Sequence, residues 1–156
     1  MIKLDNNRND ICDLALLERV NADPDISQSA LAQDLSIAIG TVNRRLQQLV
    51  KNDFIQVERT HRRKLRYTLT PKGCTLHRTL THAYIKQSFD VYRQVRQQVK
   101  DVLKAITDAG VTTVRLNGEG DVRDVCWLTC LEYHVKITDD PDAPKLVVDG
   151  LDIRIE

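Results

Sequence analysis

A chain of 156 residues holds one ordinary domain or two small ones, and its 42% apolar and 29% charged residues suit a packed core with a polar surface. No apolar run approaches the roughly 18 residues that span a bilayer, and the opening MIKLDNNRND lacks a signal-peptide core, so the expectation is a cytoplasmic chain with no membrane partner. The net charge of +1 conceals two opposed blocks: residues 36–78 carry ten Lys/Arg against Asp53 and Glu58, whereas residues 110–156 carry five against ten acids.

In chain order, DICDLALLERVN spaces Ile11, Leu14, Leu17 and Val20 for a helix that ends before Asp23-Pro24. In DISQSALAQDL, Ser27 is a good N-cap, Ile26 can staple onto Leu31, and Leu35 continues the apolar face, predicting a short second helix. SIAIGTVNRRLQQLVKNDF predicts a third, with Ile39, Val42, Leu46, Leu49 and Val50 inward and Thr41, Asn43, Arg44, Arg45, Gln48 and Lys51 outward. So short a separation between helices two and three is that of a helix-turn-helix. After Phe54 the period changes to two. IQVER and KLRYTLT alternate, with Ile55 and Val57, then Leu65, Tyr67 and Leu69, each on one face; THRRK between them reads as a basic hairpin tip.

Taken singly, an Arg pair is a solvated helix face and a charged tip is a guard against edge pairing. Taken together they describe a winged helix-turn-helix over residues 1–73. Polar side chains of the third helix reach base edges in a major groove, where Arg matches guanine and Asn matches adenine. His61, Arg62, Arg63 and Lys64 would meet the phosphates in a salt-dependent way. The expected partner is double-stranded DNA.

The stretch PDISQSALAQDLSIAIGTVNRRLQQLVKNDFIQVERTHRRKLRYTLTPKG resembles a MarR-type winged helix, and within that group it is most similar to regulators associated with exopolysaccharide gene clusters. ISQSALAQDL, GTVNRRLQQLV and the closing TPKG carry the likeness, which spans about residues 10–100. The resemblance implies a dimeric transcriptional regulator with the third helix on DNA and the wing on the backbone. Two positions depart from the pattern. Asp53 stands where glycine is usual at the exit of the third helix, a place where Asp tolerates left-handed backbone. Ala38 replaces a Ser/Thr-like cap.

Residues 74–109 contain neither proline nor glycine, and Leu76, Leu80, Tyr84, Val91, Val95, Val99, Val102 and Ile106 form one apolar stripe, with a candidate break near Ser88-Phe89. A helix this long cannot bury its stripe on one small wing, so a homodimer is expected, with packing on the C-terminal part alone as the other reading. His77 and His82 have no metal-ligand company and read as surface residues.

Residues 110–156 read as strand, loop, helix, strand, turn and one or two short strands, a truncated Rossmann-like α/β half-domain. Asn117, Gly118, Gly120 and Asp139 are candidate ligand-binding positions, for a nucleotide-type small molecule. Arg123 stands where a third glycine belongs, and Glu119 and Asp121 oppose a pyrophosphate, so a tight strand-to-helix turn is the favoured role of the glycines. Cys126 and Cys130 share a helix face but lack companions, and with Cys12 and Cys74 they form no C-x-x-C; buried, reduced thiols are expected, with no metal and no cofactor.

The fold expected is α+β: N-terminal winged helix-turn-helix, long connecting helix, small C-terminal Rossmann-like unit. The function expected is that of a sequence-specific, homodimeric transcriptional regulator, not an enzyme. The alternatives are a nucleotide-responsive regulator, resembling redox-sensing repressors that join a winged helix to a nucleotide-binding domain, and a protein-interaction module.

Overall fold

The structure, a computed structural model, describes residues 4–61 and 64–156. In chain order the elements are α1 (Leu4–Ala22), α2 (Gln28–Asp34), α3 (Ile39–Lys51), β1 (Ile55–Arg59), β2 (Leu65–Leu69), α4 (Pro71–Asp108), β3 (Thr113–Asn117), α5 (Gly120–Glu132), β4 (Lys136–Ile137), β5 (Lys145–Asp149) and β6 (Asp152–Ile155). Contacts divide the chain into Met1–Ile85 and Lys86–Glu156, a boundary inside α4 rather than at either of its ends.

The core of the first unit joins Leu16, Leu17 and Val20 of α1, Leu31 of α2, Val42, Leu46 and Leu49 of α3, and Ile55 and Tyr67 of the hairpin. Two positions expected inside are outside: Ile11 is 44% exposed, and Ile39, in the first turn of α3, is 53% exposed. Leu16, which the spacing did not include, is fully buried.

Capping follows the sequence closely. Ser27 Oγ accepts the Ala30 N–H at 3.1 Å, while Ala38 caps α3 with no side-chain bond. The turn between α2 and α3 is closed by the Ile37 N–H on the Ala32 carbonyl, at 3.0 Å, with Ser36 at φ 52°. Asp53 adopts φ 61° at the exit of α3, the left-handed conformation expected of it.

The wing is an antiparallel β1–β2 pair in which Ile55 faces Leu69 and Val57 faces Tyr67. TPKG then ties the hairpin's end to the end of α3. The Thr70 hydroxyl accepts the Gly73 N–H at 2.9 Å, capping α4, and donates to the Asp53 carbonyl at 2.6 Å. Lys72 Nζ donates to the Asn52 carbonyl at 2.9 Å and lies 4.8 Å from the Phe54 ring centre. Gly73 is obligatory by proximity: a Cβ there would stand 1.9 Å from the Phe54 carbonyl oxygen.

The α4 helix is continuous through Ser88 and Phe89, so the candidate break is not formed. Its second half contributes Val95, Val99, Leu103 and Ile106 to the core of the second unit, together with Cys126, Cys130, Val114, Val135, Leu146 and Ile153. The sheet there has the order β4-β3-β5-β6, with β3 parallel to β4 and β5, and β6 antiparallel to β5. Val114 and Leu116 share a face by alternation, and register carries that face to Leu146, Val148 and Ile153. These are the strand residues that pack with α4 and α5, so both helices cover one face; Thr113, Arg115 and Val147, on the other, are half-buried. A β3–α5–β4 crossover is present; helices on both faces and a fully parallel sheet are not.

Candidate nucleic-acid interface

Amphipathic spacing divides α3 sharply: Val42, Leu46 and Leu49 are buried, and Asn43, Arg44, Gln47, Gln48 and Lys51 are exposed, with Thr41 half-buried. Arg45 is set apart from its neighbours. Its Nε and Nη2 donate to the two Asp13 carboxylate oxygens at 2.8 and 2.5 Å, and the two side chains are only 14% and 16% exposed. Nη1 also donates to Gln48 Oε1 at 3.1 Å. This fork anchors α3 to α1 and withdraws Arg45 from the outward face. Burial pushes the Asp13 carboxyl above its ordinary range, more than the bonds from Arg45 pull it down.

Gln47, absent from the sequence reading, holds the centre of the exposed face. Its Nε2 donates to Asn43 Oδ1 at 3.2 Å across one helical turn. One groove, of about 470 Å³, lies between α3 and the hairpin and is lined by Asn43, Gln47, Lys51, Val57, Arg59 and Tyr67 among others. A second, of about 500 Å³, lies on the α1 side and is lined by Asn9, Arg44, Arg45, Gln47, Gln48 and Lys51. Gln47 and Lys51 border both, so they stand on the ridge of the helix. The four-residue step from Asn43 to Gln47 is the signal that could have found Gln47, and the two-residue step from Val57 is the one that could have found Arg59, which lines the groove and was likewise not among the residues expected on DNA.

The hairpin is fixed in place before it reaches its tip. Gln28 Nε2 donates to the Tyr67 hydroxyl at 3.0 Å, and the Tyr67 N–H donates to the Pro24 carbonyl at 2.8 Å. Arg66 forks onto Asp25 at 3.0 and 2.8 Å, and that hydrogen-bonded pair holds the Asp25 carboxyl below its usual range. The Thr60 N–H closes the tip on the Lys64 carbonyl at 2.8 Å. His61 and Lys64 are exposed there; Arg62 and Arg63 lie outside the described residues.

In the second unit Asn117 ends β3, Gly118 lies in the turn and Gly120 opens α5, and Asp139 stands exposed in the turn after β4. Gly118 has φ 134° and Gly120 has φ 78°, and a Cβ on Gly118 would meet Val148 Cβ at 2.7 Å. Both glycines thus have a packing or backbone reason of their own. Cys126 and Cys130 are buried, and burial pushes each thiol up to about 11. Among the described residues no group of three or more His, Cys, Asp or Glu could hold a metal ion, and no helix is long and apolar enough to cross a membrane.

The family model for winged helix-turn-helix DNA-binding matches residues 10–56. No curated protein matches the chain in sequence. Among solved structures it is similar to Streptococcus pneumoniae FabT in complex with DNA, at 25% identity and TM-score 0.40, over 50% of this chain and 58% of that one. It is similar also to Staphylococcus aureus MarR in complex with salicylate and kanamycin, at 20% identity and TM-score 0.45, over 63% of this chain and 69% of that one. A third is the Staphylococcus aureus transcription regulator MepR, at 19% identity and TM-score 0.46, over 63% and 77%. The matched segment runs from within α1 through α2 and α3 to the start of β1.

Proposed function

We propose that this chain is a DNA-binding transcriptional regulator, not an enzyme, that acts in the cytoplasm as a homodimer with α3 in the major groove and the wing on the backbone. The observation that carries the proposal is the outward face of α3. Asn43, Arg44, Gln47, Gln48 and Lys51 lie exposed on a helix whose opposite side is fully packed, beside a hairpin whose tip reads His61-Arg62-Arg63-Lys64. Arg44 and Lys51 supply charge, the amides supply base-edge hydrogen bonds, and the tip supplies phosphate neutralisation.

Pairing is supported by α4, where Ile85, Phe89 and Tyr92 remain 47%, 57% and 37% exposed along a helix too long for its own units to cover. Two copies would read two half-sites. The MarR-like subtype associated with exopolysaccharide genes is the finer assignment, carried by TPKG and the α2–α3 sequence. In this reading Asn117, Gly118 and Gly120 form a Rossmann-like strand-to-helix turn kept for packing, because a Cβ on Gly118 would meet Val148, and Asp139 is an exposed residue of the turn after β4.

A salt titration of duplex binding tests the proposal. Replacing Arg62, Arg63 and Lys64 together by Ala should flatten the log–log salt slope by up to about 2.7, roughly 0.9 per lost phosphate contact. Affinity that does not change with salt, or a slope untouched by the triple substitution, defeats the wing assignment.

A further inference from the structure

We propose that Asn43 and Gln47 act as a single recognition element that selects an adenine in the major groove, with Gln47 a specificity-determining residue. The inference rests on the DNA-binding reading above and adds to it which groups read a base, and which base. Its first support is position. Asn43 and Gln47 are one turn apart on the exposed face, and Gln47 borders both grooves that flank α3. A duplex that admits this helix meets the ridge before either groove.

The second support is chemistry. The two carboxamides are joined by a hydrogen bond of 3.2 Å from Gln47 Nε2 to Asn43 Oδ1. That bond leaves the Asn43 amide group as a free donor and the Gln47 carbonyl as a free acceptor. Exchanging O and N in both amides reverses the bond and still leaves one donor and one acceptor, so the pattern does not depend on how the amides are turned. An adenine edge in the major groove offers an acceptor at N7 and a donor at N6, the complement of that pattern. Guanine offers acceptors at N7 and O6, and its O6 would face the couple's carbonyl oxygen. Holding each amide with the other also removes rotamer freedom before DNA arrives, which favours one register over several.

Location of charge agrees with this division of work. Arg44 and Lys51 flank the couple and carry the attraction to phosphate, whereas the couple is neutral and can discriminate without adding to non-specific binding. Arg45 cannot join them, since its guanidinium is spent on Asp13.

Selection from randomised duplexes tests the proposal, using the full chain as wild type, Asn43→Ala, Gln47→Ala and Gln47→Glu. The wild-type motif should contain an adenine position at which guanine is disfavoured about tenfold or more. Both alanine variants should relax that same position and leave the rest of the motif in place. Gln47→Glu removes the donor of the internal bond, so the Asn43 amide turns to donate to the carboxylate and the groups left facing outward are acceptors; the preference should move toward cytosine, whose N4 group donates. Both side chains are exposed, and an unchanged thermal midpoint checks that each of the three variants is folded. Unchanged motifs, or relaxation at two different base pairs, overturn the couple while leaving the DNA-binding reading intact. A wild-type chain that enriches no motif overturns both.

Discussion

Helices α3 and α5 are each 13 residues long and each bury three side chains, yet they present opposite surfaces to their surroundings. The α3 helix buries Val42, Leu46 and Leu49 and turns amides and cations outward. The α5 helix buries Cys126, Thr129 and Cys130 and leaves Trp127, Leu128 and Leu131 between 42% and 51% exposed. The difference teaches that the two units solve separate problems. The first buries the large apolar side chains of α3 after its first turn in one core and frees the opposite side of that helix for a hydrated, anionic partner. The second uses small, soft groups against its sheet, where a close helix-to-strand approach matters more than apolar volume.

Breaking the large side of this comparison should cost most. Leu46→Ala removes a side chain only 2% exposed and should destabilise the first unit by about 3 kcal/mol, seen as a lower denaturant midpoint and lost duplex binding. A loss below about 1 kcal/mol would mean that α3 is not held by that contact.

A smaller effect is expected from Arg45→Ala, about 2 kcal/mol, because it leaves the mostly buried Asp13 carboxylate without its partner. The pH dependence sharpens the result. Burial raises the folded Asp13 pKa, so the favourable contribution of its neutral form is complete below the unfolded value and is lost as pH rises through the folded one. The variant should therefore recover stability relative to wild type as pH falls toward 4. Equal losses at pH 4 and pH 7 in chemical denaturation would rule out this account.

The effect in α5 is smallest near neutral pH. With Cys126 and Cys130 raised to about 11, their neutral thiols favour the fold fully below the ordinary thiol pKa, and that contribution declines between about pH 8.5 and 11. In alkylation at pH 8, followed by mass spectrometry, exposed Cys74 should label first and these two only on unfolding. Rapid labelling of Cys130 in the native protein would show that this face of α5 opens to solvent.

Much of the first unit was readable from spacing alone. The cap at Ser27 and a hairpin that turns between Thr60 and Lys64 follow from local rules, and both are found; the left-handed Asp53 was met through the family likeness, which puts glycine there. Arg45 was misread because its partner, Asp13, is 32 residues away, and no local pattern distinguishes a cation that reads DNA from one that folds inward. Leu103 escaped because the stripe on α4 was given a three-residue step from Val99 to Val102, while the four-residue step that it had followed from Val91 through Val95 to Val99 carries it to the fully buried Leu103. Trp127 was passed over because α5 is apolar nearly all round, which blurs the face that periodicity is meant to reveal. Gly118 was recognised as a turn glycine, but its approach to Val148 depends on the β3–β5 pairing, which no short window contains.

The small knot of bonds at TPKG has a consequence for how two helices are joined. Thr70 and Lys72 grip the carbonyls of Asp53 and Asn52, and Gly73 lies flat on that of Phe54. There is no slack between the last turn of α3 and the first turn of α4. The last turn of α3 and the first turn of α4 are thus joined through three backbone oxygens and not through a free loop.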